Sequence, residues 1–356
     1  MGLIPPQTGM KRFKNLYPQI HCFENLLLAA RRAQHGKRFK PEVAAFNFDQ
    51  ENELFRLQRD LRDKIYQHGQ YRHFPVFEGK KRIISCSPYR DRGVHHALCN
   101  VIEPIFERAF IYDSYACRKG KGTHAAVDRL TFFSRKNRYA LKIDIRKYFP
   151  SVRHDILLNL LERKIGDGDV LWLIREIIDS HQATPAADST GNLLLPFDGP
   201  RGIPIGNQTS QFFANVYLNE LDHFVKEQLH CKAYIRYVDD MVYLHSSKVR
   251  LNDIREKIRS YLEDRLHLTM HEERSHVFPV AIGIDFLGYQ VFPTHRRIRD
   301  GNGYRFARRL NGLREGFRSG EKTLFEVGQS MVSWIGHVSH GDSWGLRTAL
   351  LSEVVF

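Results

Sequence analysis

The tetrapeptide Tyr237-Val238-Asp239-Asp240 lies between two short apolar runs, Ala233-Tyr234-Ile235 and Met241-Val242-Tyr243-Leu244. β-branched and aromatic residues flanking a polar pair predict an antiparallel hairpin with both acids at its tip. Any fold must therefore build a sheet around this hairpin and neutralise two adjacent carboxylates. The plain reading is a solvated turn. The chemical reading is a pair of Mg²⁺ ions, which bind through a few carboxylates and share the rest of their shell with water and substrate phosphates. Two such ions are the apparatus of in-line phosphoryl or nucleotidyl transfer.

A third carboxylate strengthens the chemical reading. Ala140-Leu141-Lys142-Ile143-Asp144-Ile145 predicts a buried strand that ends at Asp144, followed by a turn over Arg146 to Ser151. An acid in an apolar strand is costly to bury unless it is paired or metal-bound. Two roles stand open for it: a cap for the helix that begins near His154, or a ligand that meets Asp239 and Asp240 across a sheet. Between the acidic segments lies Gly202-Ile203-Pro204-Ile205-Gly206-Asn207-Gln208-Thr209-Ser210-Gln211, which leads into the helical pattern Phe212 to Leu221. A Gly/Pro loop that opens a helix presents free N–H groups, suited to a phosphate or a base pair.

In this order the segments resemble the reverse transcriptase family. Arg82-Ile83-Ile84 with Tyr89 to Arg92 is similar to its first fingers motif, and Tyr115 to His124 to its second. Asp144 to Phe149 matches the first catalytic motif, Ile203 to Gln211 the motif that touches the nascent base pair, and Tyr237 to Asp240 the catalytic hairpin. Asp285-Phe286-Leu287-Gly288-Tyr289 is similar to the primer-grip hairpin. The likeness runs from about residue 75 to residue 292. Within the family the chain most resembles the reverse transcriptases of diversity-generating retroelements. Ile-Gly-x-x-x-Ser-Gln at Ile205–Gln211 replaces the commoner Gln-Gly-x-x-x-Ser-Pro. His95 to Asn100, Phe292 to Arg297, Trp334 to His337 and His340 to Asp342 share the likeness. Defence-associated, abortive-infection and other group II-like bacterial enzymes share parts of the pattern.

The resemblance implies an RNA-directed DNA polymerase that copies a template RNA into cDNA, mutated at template adenines, with a small basic accessory protein. Asp144, Asp239 and Asp240 are implied as catalytic ligands of two Mg²⁺ ions, replaceable by Mn²⁺, with the Ile145 carbonyl as a further ligand. Lys81 and Arg82 are implied to hold the dNTP triphosphate; an exposed basic strand end is the alternative. Phe149 would exclude a 2′-hydroxyl, or else be a core aromatic. Ile205, Gly206 and Gln211 complete the dNTP site. Arg118, Gly120, Leu287, Gly288, Arg305, Arg308 and Arg309 are implied to contact template, primer and the RNA–DNA hybrid. An Ile at 205 has no donor or acceptor, so it polices the pair by shape alone. One departure is visible: where the family often has a Lys before the primer grip, this chain reads His271-Glu272-Glu273-Arg274-Ser275. Arg274 is the nearest stand-in for that Lys, which the resemblance implies protonates the leaving pyrophosphate, but a guanidinium is a poor proton donor at neutral pH, and His271 is the other candidate.

Bulk properties agree. The chain has 356 residues, 42% apolar and 26% charged, enough for a sizeable core and two or three subdomains. No apolar run is long enough to span a membrane, and the N-terminus lacks a signal core. Five scattered cysteines without a Cys-x-x-Cys suit a reducing cytoplasm and speak against a disulfide framework; that the protein is bacterial or phage-encoded is what the resemblance implies. His95-His96 is expected to face solvent or nucleic acid rather than a metal. The net charge of +14 concentrates at the ends: residues 1–40 carry +7 and residues 289–322 carry +6. Each run alone reads as a solvated face. Two runs flanking the acidic segments favour a polyanion track. Phe306, Leu310, Leu313 and Phe317 recur at helical spacing, which turns Arg305, Arg308, Arg309 and Arg318 outward. Lys119 to Thr123 lacks the spacing of a nucleotide loop.

The expected architecture is α+β, a right-hand polymerase. Residues 1–74 form a basic helical extension, 75–292 form the fingers and an antiparallel palm sheet with packed helices, and 293–356 form a helical thumb without an RNase H, maturase or endonuclease domain. Helices are predicted within 20–70 and over 92–108, 123–136, 154–165, 169–181 and about Leu251–Leu262. A strand pair over 74–89 should turn at Glu78-Gly79-Lys80, and Ala183–Pro200 should be a surface excursion.

Overall fold

A computed structural model describes residues 12–77, 81–181 and 199–352. The expected turn at 78–80, most of the 183–200 excursion and the first eleven residues of the basic extension lie outside the described residues. Apolar residues at three- and four-residue spacing build α1 (Tyr17–His21), α2 (Phe23–Ala33), α3 (Pro41–Phe48) and α4 (Gln50–Arg62). The hairpin strands β1 (Arg72–Phe77) and β2 (Lys81–Cys86) follow, then α5 (Tyr89–Glu107), α6 (Thr123–Ser134) and β3 (Tyr139–Ile143). The single turn α7 (Tyr148–Ser151) precedes α8 (His154–Glu162), α9 (Gly168–Asp179) and α10 (Gln208–His223), which ends in a π turn over Phe224–Gln228. Next come β4 (Tyr234–Tyr237), β5 (Asp240–His245), α11 (Lys248–Leu266), β6 (His276–Pro279), β7 (Ile284–Phe286), β8 (Tyr289–Val291) and β9 (Arg296–Ile298). The chain closes with α12 (Asp300–Arg318), α13 (Leu324–Val338) and α14 (Trp344–Leu351). No described helix is long and apolar enough to cross a membrane.

These elements form two compact units that interleave along the chain. The first takes the chain up to Tyr112, then Ile145–Gln228 and Lys257–Met270. Its centre is α5 against α10, with Phe106 edge-on to Phe212 at 5.4 Å. α10 buries side chains around most of its circumference, as a helix enclosed by neighbours must. The Tyr148 hydroxyl donates to the Ala214 carbonyl at 2.6 Å and the Tyr217 hydroxyl to Leu266 at 2.7 Å. These bonds seat α7 and the end of α11 against α10.

The second unit takes Asp113–Asp144, Leu229–Glu256 and the chain from His271 onward. Its main sheet is antiparallel in the order β4-β5-β3-β6, and a smaller sheet runs β7-β8-β9. Side chains alternate across a strand. Ala140, Val242, Leu244 and Ile235 therefore share a face, and they pack in one core with Ala126, Val127 and Leu130 of α6 and with Ile284, Phe286, Tyr289 and Val291. The strand β9 was not anticipated; the segment after Phe292 is not purely helical.

The structure refines two local expectations. Arg153, not Asp144, stands at the start of α8, so Asp144 is not a helix cap. In the β4–β5 hairpin Tyr237 pairs with Asp240, so the two-residue turn is Val238-Asp239 and only one acid sits at the tip. Val238 has φ +55°, and Asp239 is not left-handed, the sign pattern of a type II′ turn. A β-branched residue in that conformation is strained.

Replacing Val238 with Gly should remove strain of about 1–3 kcal/mol against a backbone-entropy loss of about 0.5–1 kcal/mol. Thermal unfolding of Val238→Gly is expected to show a net gain of about 1 kcal/mol. Unchanged or lower stability would mean that the turn holds no strain.

Candidate active site

The β3–β5 register decides where the acids meet. It pairs Ile143 with Met241 and Lys142 with Val242. One further step puts Asp144 opposite Asp240, and alternation puts both on the face that carries Lys142. Lys142 makes the arrangement electrostatically tenable. Its ammonium lies 3.1 Å from Asp240 Oδ1 and donates at 2.8 Å to the Asp285 carbonyl of β7. Arg274 Nη1 donates to Asp144 Oδ2 at 3.2 Å. The Asp144 backbone is fixed as well: its N–H donates to Ser275 Oγ at 3.3 Å, and its carbonyl accepts the His271 N–H at 2.8 Å. Arg274, weighed above as a proton donor, thus sits on a carboxylate. Asp239 occupies the second turn position between Val238 and Asp240.

Burial pushes the Asp240 carboxyl above its usual range; Lys142 opposes this, while Asp144 and Asp285 add to it. Asp240 Oδ1 is buried without an aligned hydrogen-bond donor. Among the described residues no group of three or more His, Cys, Asp or Glu encloses a metal unaided. The donor chemistry still suits Mg²⁺: hard carboxylate oxygens in an open arrangement, one of them, Asp240 Oδ1, without an aligned hydrogen bond although an ammonium lies 3.1 Å away.

The first unit gathers the residues expected around a nucleotide. Arg82 is exposed on β2 opposite Val76, and Lys81 pairs with Phe77. The Ile205 carbonyl accepts the Ser85 N–H of β2 at 2.9 Å. Gly206 has φ +124°, and a Cβ there would lie 3.0 Å from Ile84 Cγ2 and 3.3 Å from the Ser85 carbonyl, so only glycine fits. Phe149 is half-buried on α7, edge-on to Tyr148, and its carbonyl accepts the Ile203 N–H at 3.0 Å. Ile145 is buried, and its backbone bridges Met270. Gln211 is exposed in the first turn of α10. His95, expected to face solvent or nucleic acid, is instead 1% exposed inside this unit. It lies on the core face of α5 beside Val94 and Leu98, a stripe that the adjacent His96 masked in the sequence.

The second unit holds the residues expected to grip nucleic acid. Arg118 donates to the Ser114 carbonyl at 2.7 Å, and Gly120 stands exposed with φ +72° and open space around it. Leu287 and Gly288 form the β7–β8 turn with φ +50° and +90°, the type I′ pattern. The Gly288 carbonyl accepts from Arg299 N–H and Asn302 Nδ2, both at 3.1 Å, which docks the turn on the start of α12. On α12, Phe306, Leu310 and Leu313 face inward, with Phe306 stacked on Trp334 at 3.8 Å. Arg305, Arg308 and Arg309 are exposed. Sequence reasoning missed Lys142, Ser275 and Asp285. Lys142 was legible in principle, since position i−2 of a strand shares the face of Asp144.

Lys142→Met tests the charge balance. A carboxyl raised by burial is penalised when ionised; the penalty exists above its folded-state pKa and vanishes as pH falls toward the unfolded value near about 3.9. Without divalent ions, Lys142→Met is expected to lose about 1–2 kcal/mol relative to wild type at pH 7. That gap should close as the pH is lowered toward 4. A gap independent of pH would mean that Lys142 does not balance Asp240.

The reverse transcriptase (RNA-dependent DNA polymerase) family matches residues 68–291, from the loop before β1 to the end of β8. The chain is 26% identical to protein YkfC of Escherichia coli (strain K12) over 281 residues, 67% of this chain and 71% of that protein. It is 20% identical to the group II intron-encoded protein LtrA of Lactococcus lactis subsp. cremoris, covering 68% of this chain and 50% of that one. It is 28% identical to an uncharacterized 91 kDa protein in the cob intron of Schizosaccharomyces pombe, over 47% of this chain and 21% of the other. Apo telomerase of Candida tropicalis superposes with a TM-score of 0.49 at 11% identity, over 65% of this chain and 49% of that one. The matched segment contains the acidic hairpin, Asp144 and the Ile205 loop, and the chain belongs to the reverse transcriptase (RNA-dependent DNA polymerase) family, with that family's α+β right-hand polymerase fold.

Proposed function

We propose that this chain is the cDNA-synthesising enzyme of a bacterial or phage diversity-generating retroelement, copying a template RNA with frequent error at template adenines. The observation that carries the catalytic part is the β3–β5 register, which sets Asp144 opposite Asp240 with Asp239 in the adjoining turn. In this reading Asp144, Asp239 and Asp240, with the Ile145 carbonyl, hold two Mg²⁺ ions, for which Mn²⁺ substitutes. Such ions lower the pKa of a primer 3′-hydroxyl and neutralise triphosphate charge. The protein's own part is positional. Lys142 and Arg274 hold the carboxylates in register, Lys81 and Arg82 take the triphosphate, and Phe149 closes the space a 2′-hydroxyl would need.

Template RNA, the growing RNA–DNA hybrid and dNTPs are the partners in this reading, with a small basic accessory protein. The exposed arginines of α12, with Arg118 and Gly120, supply contacts to the phosphate backbone, which would make binding salt-dependent. Ile205 supports the mutagenic part. Its side chain offers shape without a hydrogen bond, and an apolar pocket discriminates by only about 1–3 kcal/mol per group.

Two substitutions test this reading. Asp239→Asn should reduce primer extension on an RNA template with Mg²⁺ by at least about 10²–10³-fold while the protein stays folded. Wild-type extension rates in that variant would remove the carboxylates from the chemistry. Ile205→Gln restores an amide where most relatives carry one, and misincorporation opposite template adenine is expected to fall. Identical error spectra for the two proteins on one RNA would make Ile205 a packing residue only.

A further inference from the structure

Asn207 stands where α10 begins, the position at which an Asn side chain ordinarily accepts from the helix's free N–H groups. Here it makes no such bond. It is 2% exposed and clamped sideways: its Oδ1 accepts from Ser87 Oγ at 2.8 Å, and its Nδ2 donates to the Tyr71 hydroxyl at 3.3 Å. A helix that forgoes its cap to hold a loop has that side chain committed elsewhere.

The anchor itself is braced. The Tyr71 hydroxyl also lies 3.2 Å from Ser180 Oγ at the end of α9. Its ring stacks on His68 at 4.7 Å and meets His181 edge-on at 5.4 Å. His68 stacks in turn on His95 at 5.2 Å, and His95 Nδ1 lies 3.4 Å from Thr209 Oγ1. The Nε2 atoms of His68 and His95 are buried without a partner. Burial lowers the pKa of His68 and His95, and takes His181 down to about 4. The slab is therefore neutral at physiological pH and behaves as packed rings. It ends on Asn207 and Thr209, two and four residues beyond Ile205.

On the other side of Gly206 the Ile205 carbonyl is tied to Ser85 N–H, and Ser85 Oγ lies 3.0 Å from His73 Nδ1. Gly206, left-handed and without a side chain, is thus a soft link pinned at both ends. The pins are one backbone bond to β2 and the two side-chain bonds of Asn207, to Ser87 and to Tyr71.

We propose that Tyr71, seated on the His68–His95 stack, is a positioning residue that sets the Ile205 loop and thereby the selectivity for the incoming nucleotide; this rests on the reading that the loop meets the nascent base pair. Without the hydroxyl, Asn207 loses a partner, and the Ile205–Asn207 segment gains freedom at the point where shape alone judges the pair.

Tyr71→Phe keeps the ring and both ring contacts and removes only the hydroxyl. Steady-state single-nucleotide insertion on an RNA template is expected to show KM for the correct dNTP raised about 3- to 10-fold, the range of one hydrogen bond. Misincorporation relative to correct insertion should rise several-fold, with kcat and thermal stability little changed. In a double-mutant cycle Tyr71→Phe and Asn207→Ala should be non-additive, because they share one bond. Ile205→Gln on the same template serves as reference. If it shifts the error spectrum while Tyr71→Phe leaves KM and misincorporation unchanged, the positioning role is overturned and the reading of the loop stands. If neither variant moves the spectrum, the reading of the loop falls and the inference with it. A Tyr71→Phe protein that only unfolds more easily, with unchanged KM and error, would also overturn the role and leave Tyr71 a structural residue.

Discussion

Everything in the candidate site depends on one antiparallel register. With Ile143 opposite Met241, the acid that follows β3 faces the acid that begins β5. A slip of one residue would turn Asp144 to the opposite face and separate it from Asp240. The apolar residues farther along the same face hold the register: Ala140, Val242 and Leu244 share one core with α6 and the β7-β8-β9 sheet. Core packing therefore fixes the carboxylates, which would otherwise repel each other apart.

That repulsion is managed with two cations from different elements. Lys142 reaches along its own strand face to Asp240 and continues to the Asp285 carbonyl, so the acidic hairpin and the β7–β8 hairpin share one ammonium. Arg274, on the turn before β6, takes Asp144. In the proposed two-ion site, incoming divalent ions would compete with these two side chains for the carboxylates.

Much of this was legible in the sequence, because period-two alternation and adjacent acids leave few alternatives. The hairpin at Tyr237–Asp240, the strand leading up to Asp144 and the arginine stripe of α12 all follow from local pattern. What escaped depends on strand register and on contacts between distant segments. The sequence cannot show that Tyr237 pairs with Asp240, which places Val238 at a positive φ and leaves one acid rather than two in the turn. His95 beside His96 reads as a polar pair, yet α5 turns His95 into the core and onto His68. Asn207, at the head of α10, gives its amide to Tyr71 and Ser87, a pairing no local pattern shows. Arg274 reads as the stand-in for a lysine of the family until its guanidinium is found on Asp144. In the last three cases a polar side chain is claimed by a partner far along the chain.

The central claim is that Asp144, Asp239 and Asp240 together hold the divalent ions of the reaction. Fe²⁺ in place of Mg²⁺, with ascorbate and peroxide, generates hydroxyl radicals that cut the backbone next to the bound ion. The account predicts two cuts, one beside Asp144 and one in the Val238–Asp240 turn, both suppressed by excess Mg²⁺ and both weakened in Asp239→Asn. Cleavage confined to other segments, or cuts at these two places that persist unchanged in Asp239→Asn, would contradict it.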